Sequence, residues 1–249
     1  MGLHAMSARS LTAGTIRRGL VLDVETRIDR RTLKVSGRRA TPRGMPTGLQ
    51  VIVAAAMLTF ELLDDGSCGG FTLRSADCAG SGERTLVRLL DRELARLHDT
   101  DGVLVTFNGG HDLSMVRLAM LRHREFATGG AARWIADSSR HEDLMLRLSA
   151  EPAGRWASLA DLSAALGLHA PGEVMLGAPV TTLEVAKCEL DVVATMALYM
   201  HLLSERRGDD RALRTGIPGL AGMVEGRLDR SPHLGSALAG RLFQEYAVE

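Results

Sequence analysis

The chain has 249 residues, enough for one large α/β domain with a real core or for two small ones. Thirty Lys and Arg balance thirty Asp and Glu, so net charge argues neither for nor against a nucleic-acid partner, and the 4% aromatic content is low but ordinary for a soluble globular protein. No apolar run reaches membrane-spanning length, and three cysteines without metal-type spacing argue against a disulfide framework and fit a reducing, cytoplasmic setting.

Residues 1–18 read as a poorly ordered, basic lead-in, and Gly19-Leu20-Val21-Leu22 as a buried β-strand that runs into Asp23-Val24-Glu25-Thr26. Arg27, Arg30, Arg31, Lys34, Arg38, Arg39 and Arg43 follow, opposed only by Asp29; the run suits a solvated loop or a track for phosphates. Gln50–Leu63 suits a long central strand, although Ala54, Ala55 and Ala56 leave a helix open. Asp64-Asp65-Gly66 is a turn signal, and Gly70–Arg74 returns as an edge strand. Ser81 is placed to cap a helix over Glu83–His98 whose Leu86, Leu89, Leu90, Leu94 and Leu97 share a face. Asp101-Gly102 turns the chain into a second buried strand, Val103–Phe107, and Leu113–Arg122 is helical. Trp134–Asp137 reads as a short strand, with helical segments over Asp143–Leu148 and Leu159–Leu166, the latter stopped by Gly167. A long helix starts near Thr181 or Thr182 and runs to Arg206. Residues 207–249 read as a Gly- and Arg-rich appendage with a last helix over Ser236–Tyr246. Strands followed by helices in this order make an α/β layout around a mixed sheet.

The chemistry concentrates in three short stretches. On a strand, residues two apart share a face, so Asp23 and Glu25 aim together while Val24 points away. Paired carboxylates repel unless a cation neutralises them, which favours a hard, oxygen-loving ion such as Mg2+ or Mn2+. Asp191 lies among Leu190, Val192 and Val193, where an unpaired carboxylate is costly. Asp112 follows Phe107-Asn108-Gly109-Gly110-His111 and reads either as a ligand or as the N-cap of the next helix. Asn108 suits a turn, His111 a partly exposed loop position, His141 and Asp143 capping or packing, and Trp134 and Trp156 the core.

Taken in order, Leu22-Asp-Val-Glu-Thr26, Thr106-Phe-Asn-Gly109 with Asp112-Leu113, His141-Glu-Asp-Leu-Met145, Ser158-Leu159 through Leu168, and Cys188-Glu-Leu-Asp-Val192 with Thr195 and Leu198-Tyr199 resemble the DEDD superfamily of 3′–5′ exonucleases. Within it, the sequence is most similar to predicted exonucleases related to the proofreading domain of family B DNA polymerases. The resemblance implies a ribonuclease-H-like fold over 19–206, with a mixed central sheet flanked by helices. It implies Asp23, Glu25, Asp112 and Asp191 as ligands of two ions, Mg2+ or Mn2+, and Thr26, Asn108 and His111 as contacts to nucleic acid. The substrate it implies is the 3′ end of single-stranded DNA or RNA, with no membrane partner. Relatives carry Tyr four residues, or His five residues, before the last Asp; here those positions hold Lys187 and Ala186. Lys187 shares a helical face with Asp191. Nearby cations are expected to lower its pKa, and three roles stay open for it: neutral base, grip on the scissile phosphate, or mark of a weakened enzyme.

Overall fold

The computed structural model describes residues 16–39, 46–148, 157–168 and 183–246. Trp156, Thr181 and Thr182 therefore lie outside the described residues. Five strands form one mixed sheet in the order β3-β2-β1-β4-β5. They are β1 (Ile16–Ile28), β2 (Gln50–Leu63), β3 (Cys68–Asp77), β4 (Val103–Thr106) and β5 (His141–Asp143). β2 runs antiparallel to both β1 and β3, whereas β4 and β5 continue parallel to β1. An antiparallel β1–β2–β3 meander followed by parallel strands on the other side of β1 is the ribonuclease-H-like arrangement, here with helices on both faces.

Strict alternation along β1 decides which face each residue serves. Leu20, Leu22 and Val24 join a core with Leu86, Leu90 and Leu94 of α2 (Cys78–Asp99), Met115 and Val116 of α3 (Gly109–His123) and Trp134 of α4 (Gly130–Ala136). Val21 points the opposite way, with Ala54, Ala56 and Leu58 of β2, into a larger core under α7 (Leu183–Arg207). The alanines thus sit in a strand, paired across from Val24, Glu25 and Asp23, and a helix there is excluded. Two sites depend on glycine, one for its backbone angles and one for close packing. Gly82 breaks α2 with φ 74° and ψ 159°, a region without steric cost only for glycine, so the long straight part begins near Glu83. At Gly109, any Cβ would strike the His141 ring and the Thr106 hydroxyl, so only glycine lets the start of α3 settle on the ends of β4 and β5.

Several sequence expectations need correction. The first strand begins at Ile16, inside the segment read as lead-in, because Ile16–Arg18 pair with Glu61–Leu63 of β2. Asp29 caps a short helix, α1 (Arg30–Ser36), in the basic run, where a loop was expected. Trp134–Asp137 is not a strand: Trp134 ends up fully buried on α4, donating its indole N–H to the Leu94 carbonyl at 2.9 Å. The fifth strand is His141–Asp143, whose polar residues hide it from any hydrophobic pattern. It is followed by α5 (Leu144–Leu148) and α6 (Leu159–Ala165), which opens with a Ser158–Asp161 capping box.

The C-terminal segment contains a helix the sequence concealed, α8 (Arg211–Glu225), with Pro218 inside it, and then α9 (Gly235–Leu238) and α10 (Arg241–Tyr246). Its Leu213, Ile217, Leu220, Val224, Leu234 and Phe243 share the larger core with α7 and β3. Glu189 of α7, only 1% exposed, fastens this layer. It accepts hydrogen bonds from Ser75 of β3 (2.5 Å), from His233 Nε2 (2.7 Å) and from Arg227 (3.3 Å). These donors overcome the cost of burial and hold the Glu189 carboxyl below its ordinary pKa.

Candidate metal centre

Asp23 and Glu25 stand at the end of β1 on the side facing α7, followed at once by a register shift between Glu25 and Thr26. That irregularity interrupts regular pairing beside the pocket, as bulges beside functional sites often do, and pairing resumes at Thr26–Ile52. Asp191 and Lys187 reach the same place from one face of α7. Ligand-capable oxygens of Asp23, Glu25 and Asp191 all lie within 4.8 Å of one another, and among the described residues these three make the only such acidic, Cys or His cluster. Asp112 falls outside that trio but borders it. It lies in the first turn of α3, at 4% exposure, and its carboxyl is pushed well above the usual range by burial, then by the charges of Asp23, Asp143, Glu25 and Asp191. Asp112 is thus one turn inside its helix; the N-cap is Asn108, whose carbonyl accepts from the His111 and Asp112 amides.

Electrostatic crowding is the dominant property of this pocket. Burial and then the Asp191 charge push Asp23 up to about 7, against the pull of Lys187 and a hydrogen bond from the Cys188 thiol. Its Oδ2 atom is buried with no hydrogen-bond partner among the described residues. Asp191 is raised as well, by burial first, with Lys187 drawing it back. A buried carboxylate oxygen without a donor, beside two more carboxylates, is a donor set that suits a hard divalent cation. The observed residues could therefore hold a metal ion.

Lys187 answers part of that charge. Its ammonium donates to Glu25 Oε1 and, at 3.1 Å, to Asp191 Oδ2. Burial pulls its pKa down, but Asp191 and Glu25 more than reverse this, so the net direction is upward. The groups that touch this ammonium are carboxylates.

The remaining sequence-selected residues take distinct positions. Thr26 donates its hydroxyl to Gln50 Oε1 at 2.5 Å, closing the end of the β1–β2 pair. His111 is half-buried on the first turn of α3, and burial lowers its pKa. Asp143 accepts from the Gly110 amide and the Leu146 amide, both at 3.3 Å, in keeping with the capping role read for it. His141 Nε2 pairs with the Thr106 hydroxyl at 2.9 Å. Two neighbours of the pocket were not selected from the sequence as site residues: Cys188, whose thiol contacts Asp23, and Glu184, which forms an ion pair with Arg27. Arg27 is the first cation of the basic run, so α1 begins within a few residues of Glu25. No helix among the described residues is long and apolar enough to cross a membrane.

No family model matches the chain, and no curated protein does. Among solved structures it is similar to the family B DNA polymerase of the hyperthermophilic archaeon Pyrobaculum calidifontis, at 15% identity and a TM-score of 0.46. The match covers 85% of this chain and 29% of the polymerase chain, so the protein spans less than a third of that relative's length.

Proposed function

We propose that this protein is a metal-dependent 3′–5′ exonuclease that hydrolyses the terminal phosphodiester of single-stranded nucleic acid and releases nucleoside 5′-monophosphates. The strand is single-stranded DNA or RNA, with DNA favoured. The observation that carries the reading is the meeting of Asp23, Glu25 and Asp191, with Asp112 alongside, at one end of a ribonuclease-H-like sheet.

Bound divalent metal would supply water activation and stabilisation of the departing 3′ oxygen. The protein's own contribution is placement. A strand, a helix start and a long buried helix each hold their acidic groups on a rigid backbone, which keeps the ligand set preorganised. Lys187, with its side chain 52% exposed, faces both the carboxylates and solvent, so a scissile phosphate can reach it. This supports the phosphate-gripping role. The exposed cations Arg30, Arg31 and Lys34 on α1 offer a path for the strand's backbone toward Glu25.

A second reading is favoured by one specific contact. The Lys187 ammonium already ties up Glu25 and Asp191, which suits a nucleic-acid-binding module that kept the fold and lost turnover. A 3′-labelled single-stranded oligonucleotide incubated with Mn2+ separates the two. Release of labelled mononucleotide, abolished in Asp23→Ala and Asp191→Ala, supports the nuclease; retention of intact bound strand supports the module.

A further inference from the structure

The pocket has an outer and an inner half with different electrostatic needs. At the rim, Glu25 and Asp191, whose side chains are 21% and 10% exposed, share the Lys187 ammonium. Beside them, the Asp23 Oδ2 atom is buried with no partner among the described residues, and Asp112 is almost fully enclosed. Lys187 is fixed here by its position one helical turn before Asp191, so its reach into the rim follows from the α7 backbone and from no mobile segment.

We propose that the Lys187 ammonium is itself one of the cations of this centre, so that the free protein takes up one divalent ion, in the inner half, where its relatives hold two. The inference rests on reading the pocket as a divalent-metal site. Four carboxylates are neutralised by two divalent ions when the neighbouring helix position carries a neutral side chain. With an ammonium already bonded to two of those carboxylates, a second divalent ion brings excess positive charge and must displace the lysine from Glu25 and Asp191. The inner half offers a different balance: Asp23 has an oxygen that nothing among the described residues satisfies, and the ammonium's hydrogen bonds go to Glu25 and Asp191. Mg2+ accepts one or two protein carboxylates readily and completes its shell with water and phosphate oxygens, so this half-site is sufficient for it. The ammonium then does for the rim what an ion does in a two-metal pocket: it holds two carboxylates together and presents positive charge to an incoming phosphate.

The test is a count of bound metal, independent of turnover. Full-length protein is stripped with chelator and titrated with Mn2+. Calorimetry gives the stoichiometry, and electron paramagnetic resonance distinguishes isolated ions from pairs about 4 Å apart, which couple magnetically. The expected result is about one isolated Mn2+ per chain for the wild type and for Lys187→Arg, and about two, magnetically coupled, for Lys187→Met. Two ions in the wild type overturn the inference and leave the metal-site reading standing. A Lys187→Met protein with native circular dichroism that still takes one ion overturns it equally. No uptake by either protein overturns both. Should Lys187→Met fail to fold, the wild-type count and the Lys187→Arg count still decide.

Discussion

Glu189→Ala removes the carboxylate that ties α7 to β3 and to the C-terminal layer. The wild-type side chain is 1% exposed and accepts from Ser75, His233 and Arg227, with His233 itself enclosed. Burying a carboxylate has its own desolvation cost, so the loss is less than the sum of these bonds. What makes the change severe is the set of donors left behind: a buried imidazole and a partly buried guanidinium that no longer face an acceptor. Removing one partner of a buried charged cluster costs about 3–5 kcal/mol. For a domain of this size that corresponds to a fall in Tm of roughly 10 °C. Chemical and thermal denaturation of Glu189→Ala, His233→Ala and the double variant measure it, and the cycle should show coupling of about 1 kcal/mol or more. The pH dependence is fixed in sign. Because the folded carboxyl is held below its ordinary pKa, its stabilisation is present above about pH 4.5 and is lost as pH falls through the depressed folded value. A loss under about 1 kcal/mol at pH 7, or a gap between the proteins that widens on acidification, would refute the reasoning.

Asp23→Asn should abolish metal uptake yet stabilise the metal-free protein at pH 8 by on the order of 2 kcal/mol, since the folded carboxyl is raised to about 7; its contribution is intact below about pH 4 and lost as pH climbs through 7. Denaturation of chelated protein across that range checks it, and equal stabilities at pH 8 would contradict it. Gly109→Ala should cost about 1–3 kcal/mol and weaken Mn2+ binding together, because the added methyl group meets His141 and Thr106 and lifts Asp112 with the start of α3. Replacing Arg30, Arg31 and Lys34 with Glu should leave stability within about 0.5 kcal/mol, as α1 buries no residue, while reducing the salt dependence of single-strand binding by about three counterions in chelated protein. An unchanged salt slope would remove α1 from the binding surface.

How far the sequence revealed this architecture depends on the kind of signal each element carries. β1, β2 and β4 were legible because each contains an apolar run, and alternation placed Asp23 and Glu25 on one face before any coordinates. The pairing of Asp23 with distant Asp191 was reachable only through the order of motifs, since 168 positions of chain separate them and no local pattern links strand to helix. β5 stayed hidden because three polar residues, His141, Glu142 and Asp143, do not look like a strand until β4 supplies their hydrogen bonds. Trp134 misled for the opposite reason: a bulky apolar cluster suggests a strand, but a glycine-led helix places the same ring against α2. In α8, Pro218 and several glycines argue against a helix, yet Leu213, Ile217, Leu220 and Val224 align on one face and tertiary burial overrides propensity. Lys187 was visible as a departure from a motif; that its ammonium bridges Glu25 and Asp191 was a matter of geometry alone.

The proposed exonuclease activity is read by following a 5′-labelled single-stranded oligonucleotide through time with Mn2+ present. The prediction is a ladder that shortens one nucleotide at a time from the 3′ end, absent with chelator, absent for Asp23→Ala, and absent for a circular strand of the same sequence. Cutting of the circle, or an intact linear strand at every metal concentration, contradicts it.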